Sequence, residues 1–161
     1  MIQLVVKNES TRKHLYRTST LQGIAERIVE EKGDHPGRAP WPKGGTPLEL
    51  SLLFCDDGFM AELNEKYRNK TGPTDVLSFA QEFEHHGHPE VLGDIVISLE
   101  TVERFCKGER AAMRAEIKLL FCHGLLHILG HGHGTEVDRV EMNKLQAQYL
   151  DIPEAAAWHK P

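Results

Sequence analysis

Three histidines near the end of the chain have the spacing of a metal site. They stand at positions 123, 127 and 133 of the segment HGLLHILGHGH. Residues four apart on a helix share one face, so His123 and His127 can direct ring nitrogens at one ion. Gly130 is expected to end the helix in a left-handed conformation and to let His133 return as the third ligand. The pattern therefore predicts a metal centre on a helix and the loop after it.

The donor set favours zinc in an open site. Three neutral imidazoles suit Zn²⁺, and three protein ligands leave a fourth position for water, as in catalytic zinc sites. Nickel, copper or cobalt could occupy the same site in vitro. A chance arrangement among the ten histidines is the weaker interpretation, because the glycine and the third histidine are also correctly placed.

One catalytic residue of the zinc proteases is absent. The spacing matches H-E-x-x-H-x-x-G-x-x-H at every ligand position, but position 124 is glycine instead of the general-base glutamate. Phosphodiester cleavage has a better leaving group than peptide hydrolysis, so a metal and a cation can carry more of that reaction. Gly124 is also expected to leave space beside the metal for a nucleotide.

Arg68 is the second candidate for chemistry. It ends a predicted helix in LNEKYRNK, before a glycine–proline turn that leads into a strand. From there its guanidinium can reach a cleft and hold a phosphate, although a solvated charge at a helix end is the alternative. Thr74 and Asp75 are expected to be structural. Asp94, an acid within an apolar strand, is expected to be paired or near the site.

Composition limits the classes of protein. The chain has 161 residues, 40% of them hydrophobic, which fits one domain spanning residues 1–161. The net charge of −5 argues against bulk electrostatic coating of nucleic acid, although local basic clusters remain. An odd number of cysteines without a C-x-x-C pair indicates reduced, buried thiols. With no signal-like N-terminus and no membrane-length apolar segment, the expected location is the cytoplasm.

Hydrophobic periodicity predicts an α+β fold with one mixed sheet of about four strands packed with helices. A loop at 34–47 and a loosely packed tail at 151–161 complete the prediction. Strands are expected at 2–8, 48–55, 74–80 and 91–98, and helices at 10–33, 56–70 (behind an aspartate cap), 108–130 and 135–150.

Taken together, these segments resemble the YbeY family of bacterial metal-dependent endoribonucleases. LNEKYRNKTGPTDVLSF is similar to the family's L-N-x-x-Y-R-x-K-x-x-P-T-D-V-L-S-F, and HGLLHILGHGH to its H-G-x-L-H-L-x-G-x-x-H. LGDIVIS is similar to the strand between them, and the resemblance covers roughly residues 47 to 150. One departure is that His131 and Gly132 replace the commoner tyrosine and aspartate. Neither is a ligand position, but a carboxylate that could orient a histidine is lost.

The resemblance implies a zinc-bearing α+β endoribonuclease specific for single-stranded RNA. It implies His123, His127 and His133 as ligands, and Arg68 and His123 as catalytic residues. Its implied role is maturation of the 3′ end of small-subunit rRNA and ribosome quality control. The implied partners are the small ribosomal subunit and an assembly GTPase, with neither DNA nor a membrane.

Two other functions stay open on the sequence. A non-catalytic ribosome-assembly factor would hold a structural metal in a closed four-ligand site. A metalloprotease would need a substitute base, for which Asp94 and Glu136 are the candidates. Three ligands at this spacing favour an open site, so the assembly factor ranks below the ribonuclease and above the protease.

Overall fold

A four-stranded mixed sheet forms the centre of the computed structural model, which describes residues 2–32, 48–81, 90–132 and 134–158. The strands are β1 (Ile2–Asn8), β2 (Leu48–Cys55), β3 (Val76–Ala80) and β4 (Glu90–Ser98). Their order in the sheet is β1-β2-β4-β3. β1, β2 and β4 are parallel, and β3 pairs antiparallel with β4 at one edge. The predicted α+β class and mixed four-stranded sheet are confirmed.

Five α-helices accompany this sheet within the described ranges. They are α1 (Thr18–Lys32), α2 (Asp57–Arg68), α3 (Leu99–Phe105), α4 (Arg110–Ile128) and α5 (Glu136–Leu150). No helix in these ranges is long and apolar enough to cross a membrane.

The main hydrophobic core joins the first, second and fourth strands to α1, α4 and α5. Alternate residues of β2 enter it, including Leu50, Leu52 and Phe54, as expected where one face of a strand is covered. A smaller cluster of Met60, Val96 and neighbouring residues lies beneath α2. The C-terminal half of α4 is buried almost all round because it lies between the sheet and other helices.

The first helix begins later than predicted, at Thr18 instead of Ser10. The oxygen of the Asn8 side chain accepts hydrogen bonds from the backbone N–H and the hydroxyl of Ser10, at 2.9 and 2.7 Å. The amide of Asn8 donates to the carbonyl of Arg12 at 2.9 Å. These local bonds form a turn that competes with the helix, and His14 then adopts a left-handed φ of 63°.

The helix predicted over 108–130 is preceded by another helix, α3, that was missed. The hydroxyl of Ser98 accepts from the N–H of Thr101 and caps α3 at its start. Lys107 and Gly108 have positive φ values of 53° and 74°, which separate α3 from α4. A helix of seven residues is too short to leave a clear periodic pattern, so sequence periodicity alone could not reveal it.

Two smaller expectations also differ from the structure. Asp56 stands at the N-cap of α2, but its side chain accepts from Thr11 and Arg12 instead of capping the helix. The tail packs more closely than predicted, because Ala157 is fully buried and its carbonyl accepts a hydrogen bond from Gln146 at 2.7 Å. The predicted helix end at Gly33, the loop at 34–47, His133 and residues 159–161 lie outside the described residues.

Candidate metal and phosphate site

Helix α4 ends in a left-handed glycine, Gly130, as the sequence predicted. Gly130 has a φ of 100°, and its N–H donates to the carbonyl of His127 at 3.0 Å. The N–H of His131 donates to the carbonyl of Leu126, also at 3.0 Å. This pair of bonds is the Schellman motif, in which a left-handed residue satisfies the last carbonyls of a helix. The helix therefore ends within three residues of His127.

His123 and His127 lie side by side on α4. Their ring centroids are 4.6 Å apart and the rings are nearly perpendicular. His123 is only 5% exposed, whereas His127 is partly exposed. Two neighbouring imidazoles at this spacing fit a transition-metal ion. Within the described ranges no group of three metal-binding side chains occurs, and the third predicted ligand, His133, lies outside them.

Gln146 on α5 orients the ring of His123. The Nδ1 atom of His123 and the Oε1 atom of Gln146 are 2.8 Å apart, and the Nε2 atom of Gln146 donates to the carbonyl of Ala157. Because the amide nitrogen faces Ala157, its oxygen must accept from His123, so Nδ1 of His123 carries the proton. The lone pair then lies on Nε2. Sequence reasoning missed Gln146, since a residue on another helix leaves no local spacing signal.

Arg68 lines the same cleft as the two histidines. The cleft has a volume of about 260 Å³ and runs beside β3, the edge strand of the sheet. Arg68 is the last residue of α2 and lines the cleft from there. Lys70 adds a second cation from the turn that follows. The structure thus brings together groups that are 55 residues apart along the chain. The lining residues are Arg68, Lys70, Thr74, Asp75, Val76, Leu77, Ser78, His123, Gly124 and His127.

The acidic residue of the cleft, Asp75, has a local backbone role. Its carboxylate accepts from the N–H of Val76 at 2.8 Å, and its carbonyl accepts from the N–H of Ser98 at 2.9 Å. These bonds agree with the structural role expected for Asp75.

On α4, burial and the negative charge of Asp75 raise the pKa of Glu116 to about 7. Burial and a neighbouring negative charge both disfavour the ionised carboxylate of Glu116, which is why its pKa rises.

Gly124 packs closely against β4. A Cβ atom at this position would lie 3.1 Å from Cγ2 of Ile95 and 3.4 Å from two further atoms of that side chain. The direction that a side chain would take therefore points at β4. Gly124 also lines the cleft, and its predicted role of leaving space for a nucleotide stays a prediction. A glutamate base of the zinc-protease kind would meet the same contact.

The two residues considered as substitute protease bases lie elsewhere. Asp94 accepts a hydrogen bond from Gln81 at 2.8 Å and lines a separate groove with Tyr67. Glu136 forms an exposed ion pair with Arg139 at 2.9 Å. Neither carboxylate lines the histidine cleft.

The cysteines fit their predicted packing role: all three are free, Cys55 and Cys122 are buried, and burial raises the pKa of Cys55 to about 12.

Comparison with known proteins identifies the family. The sequence profile of the family described as "Endoribonuclease YbeY" matches residues 5–153. A relative of that name from Chelativorans sp. (strain BNC1) is 38% identical over 132 residues, which cover 81% of this chain and 77% of the relative. Another from Synechococcus sp. (strain CC9605) is 44% identical over 107 residues, 64% of each chain.

A solved structure shares the fold. The solution structure of TM1509 from Thermotoga maritima superposes with a TM-score of 0.56, at 23% identity, over 98% of this chain and 89% of that one. The family match spans nearly the whole chain. It therefore includes the paired histidines on α4 and the arginine at the end of α2. The chain belongs to the endoribonuclease YbeY family.

Proposed function

We propose that this chain is an endoribonuclease that cuts single-stranded RNA in the histidine cleft. The observation that carries the proposal is that Arg68, His123 and His127 line one cleft. Family membership supports RNA as the substrate, because the relatives are named as endoribonucleases. We extend the proposal to a cytoplasmic role in maturation of the 3′ end of small-subunit rRNA and in ribosome quality control. Its partners there are the small subunit and an assembly GTPase.

The proposed cofactor is one Zn²⁺ ion held by His123, His127 and His133. The two described ligands fit it, because Gln146 leaves the lone pair of His123 on Nε2 and His127 lies one turn further along the same face. When bound, Zn²⁺ supplies Lewis-acid polarisation of the phosphate and of the attacking water. Nδ1 of His123 keeps its proton throughout and donates it in a hydrogen bond to Oε1 of Gln146.

Arg68 and Lys70 supply the positive charge of the cleft. Arg68 presents a planar set of N–H donors that suits two oxygens of the scissile phosphate. Its charge is most valuable when the phosphate gains negative charge in the transition state. Lys70, two residues further on, binds a neighbouring phosphate as a point charge. Val76, Leu77 and Ser78 of β3 also line the cleft.

The test compares wild type with Arg68→Ala, His127→Ala and the exposed control Lys144→Ala on α5. Each zinc-loaded protein is incubated with a single-stranded rRNA fragment, with the same sequence as a duplex, and with single-stranded DNA. Bound zinc is quantified in parallel. We expect wild type and Lys144→Ala to cut only the single-stranded RNA. His127→Ala should lose zinc and activity, whereas Arg68→Ala should keep zinc and lose about 100-fold or more in cleavage rate.

Other outcomes identify the alternatives. Wild type that holds zinc and binds RNA without cutting it contradicts the nuclease proposal and supports an assembly factor with a structural metal. Zinc-dependent cleavage of an unfolded protein substrate without RNA cleavage supports a protease. If Arg68→Ala cleaves RNA at the wild-type rate, the proposed contact between Arg68 and the phosphate is contradicted.

A further inference from the structure

A second groove lies between the N-terminal segment of the chain and α4, away from the histidine cleft. Its volume is about 560 Å³, roughly twice that of the cleft. Its floor is apolar and buried, and is made by Leu15, Leu21 and Ile117. Its rim is cationic and exposed, with Arg17 and two residues of α4. We call this the basic groove; its lining residues are His14, Leu15, Tyr16, Arg17, Thr20, Leu21, Arg114, Ile117 and Lys118.

The basic groove carries charge of one sign. Arg17, Arg114 and Lys118 line it, and none of the described aspartates or glutamates does. Within the described part of the chain, no carboxylate forms an ion pair with any of the three. This contrasts with the whole chain, where 24 acidic residues outnumber 19 basic ones. Cations gathered without counter-charges in an acidic protein mark a surface that suits an anion.

The arginines of α4 are held in place by the backbone. The carbonyl of His14 accepts from Nη2 of Arg110 at 3.1 Å and from Nη2 of Arg114 at 3.3 Å. The left-handed φ of His14, 63°, belongs to the turn that presents this carbonyl. Each guanidinium has five N–H donors, so one bond to a carbonyl orients the group and leaves other donors for a ligand.

The start of α1 adds to the positive potential. Thr20, in the first turn of α1, lines the basic groove. That turn contains no acidic residue that would neutralise the partial positive charge of a helix N-terminus. The helix end is therefore an addition to three side-chain cations that already define the groove.

The basic groove and the histidine cleft lie on opposite sides of α4. Arg114 and His123 are nine residues apart, which at 3.6 residues per turn is about two and a half turns and a rise of about 13 Å. Arg114 therefore points away from the metal ligands. The two sites share no lining residue. The groove is thus a separate site from the cleft.

We propose that the basic groove binds the sugar–phosphate backbone of single-stranded RNA, away from the bond that is cut. This proposal rests on the proposed endoribonuclease function for its ligand. Arg17, Arg114 and Lys118 contact phosphates, and the apolar floor accommodates a ribose or a base face. The groove holds the substrate strand while the cleft on the other side of α4 receives the scissile phosphate. An extended RNA therefore binds more tightly than one that fills the cleft alone.

The experiment compares wild type with Arg114→Ala/Lys118→Ala and with Lys7→Ala/Lys144→Ala, a double variant that removes the same charge from exposed positions elsewhere. Dissociation constants are measured for single-stranded RNA of about 30 nucleotides over a range of salt concentrations. Cleavage is measured on the same RNA and on an RNA of about 4 nucleotides. Circular dichroism and bound zinc check that each variant is folded and loaded.

We expect the groove variant to bind the long RNA about ten-fold more weakly. The slope of log affinity against log salt should fall by about 1–2, because two phosphate contacts are lost. Its maximal cleavage rate on the short RNA should equal that of wild type. The control variant should match wild type in all three measurements.

Three outcomes overturn the proposal. In the first, the groove variant does not differ from the control variant in affinity and salt slope. In the second, its cleavage of the short RNA falls as much as its binding of the long RNA. In the third, RNA binds the two variants equally while polyglutamate binds wild type and not the groove variant, which identifies the ligand as an acidic polypeptide. Failure of wild type to cut any RNA contradicts the proposed function instead, and the binding measurement still decides whether the groove contacts RNA.

Discussion

His123 and Gln146 connect two helices behind the cleft: Nδ1 of the histidine and Oε1 of the glutamine are 2.8 Å apart. The amide of Gln146 is itself fixed by the carbonyl of Ala157, in the tail. This chain of two hydrogen bonds ties the orientation of a proposed zinc ligand to α5 and to the segment that follows it. The buried tail thus helps to fix the ring of His123 in the site.

Replacing Gln146 by leucine should weaken zinc binding by about 10–100-fold, because His123 loses the acceptor that sets its tautomer and ring orientation. The measurement is zinc affinity by competition with a chromophoric chelator, at fixed pH. Gln148→Leu, on the exposed face of α5, is the matched control and should bind zinc as wild type does. Equal affinities for the two variants would contradict the orienting role of Gln146.

Glu116 should make folding stability depend on pH near neutrality. Its pKa is raised from 4.5 to about 7 in the folded protein, so the folded state favours the protonated form. The contribution of protonated Glu116 to the free energy of unfolding is fully present below pH 4.5, the pKa of this group in the unfolded chain. It is lost as the pH rises through the folded pKa of about 7. Glu116→Gln, which stays neutral, should remove this loss and gain about 1–2 kcal/mol at pH 8, a figure reduced for solvent screening.

Urea unfolding of wild type and Glu116→Gln at several pH values tests this dependence. Glu141→Gln, an exposed position on α5, controls for the general loss of one negative charge. A constant difference in unfolding free energy between wild type and Glu116→Gln from pH 4 to 8 would rule out the raised pKa.

Gly93 and Gly23 should respond oppositely to alanine. A Cβ at Gly93 would lie 2.5 Å from the carbonyl oxygen of Phe79 and 2.9 Å from Cδ1 of Ile128. Because a backbone atom cannot move aside cheaply, Gly93→Ala should destabilise the protein by about 2–4 kcal/mol. A Cβ at Gly23, within α1, meets nothing within 4 Å, so Gly23→Ala should stabilise by about 0.5–1 kcal/mol. Chemical denaturation measures both, and equal signs would refute the packing argument.

Gly124→Ala tests the contact between α4 and β4. Its Cβ would lie 3.1 Å from Cγ2 of Ile95, so the substitution should cost about 1 kcal/mol in unfolding free energy. Ile95→Val removes the Cδ1 atom, gives the remaining side chain room to adjust, and should reduce that cost in the double variant. A double-mutant cycle measures the coupling. Strictly additive effects would show that Ile95 is not what requires glycine at position 124.

Local patterns predicted the parts of the site that lie on one element. His123 and His127 were predicted together because helical geometry places residues four apart on one face, and the cleft contains both. The left-handed Gly130 follows from the conformational freedom of glycine at a helix end. The short helix α3 was missed and the predicted start of α1 was wrong, because both depend on individual side-chain bonds that have no periodicity.

The sequence by itself determined the alternation of strands and helices, the histidine pair and the position of Arg68 at the end of a helix. These properties depend on residues within a few positions of each other, whose geometry the backbone sets. Only the tertiary structure decided that Arg68 and the histidines share a cleft, that Gln146 orients His123 and that a side chain at Gly124 would press on Ile95. Those relationships join elements far apart in the chain, because sheet order and helix packing bring them into contact.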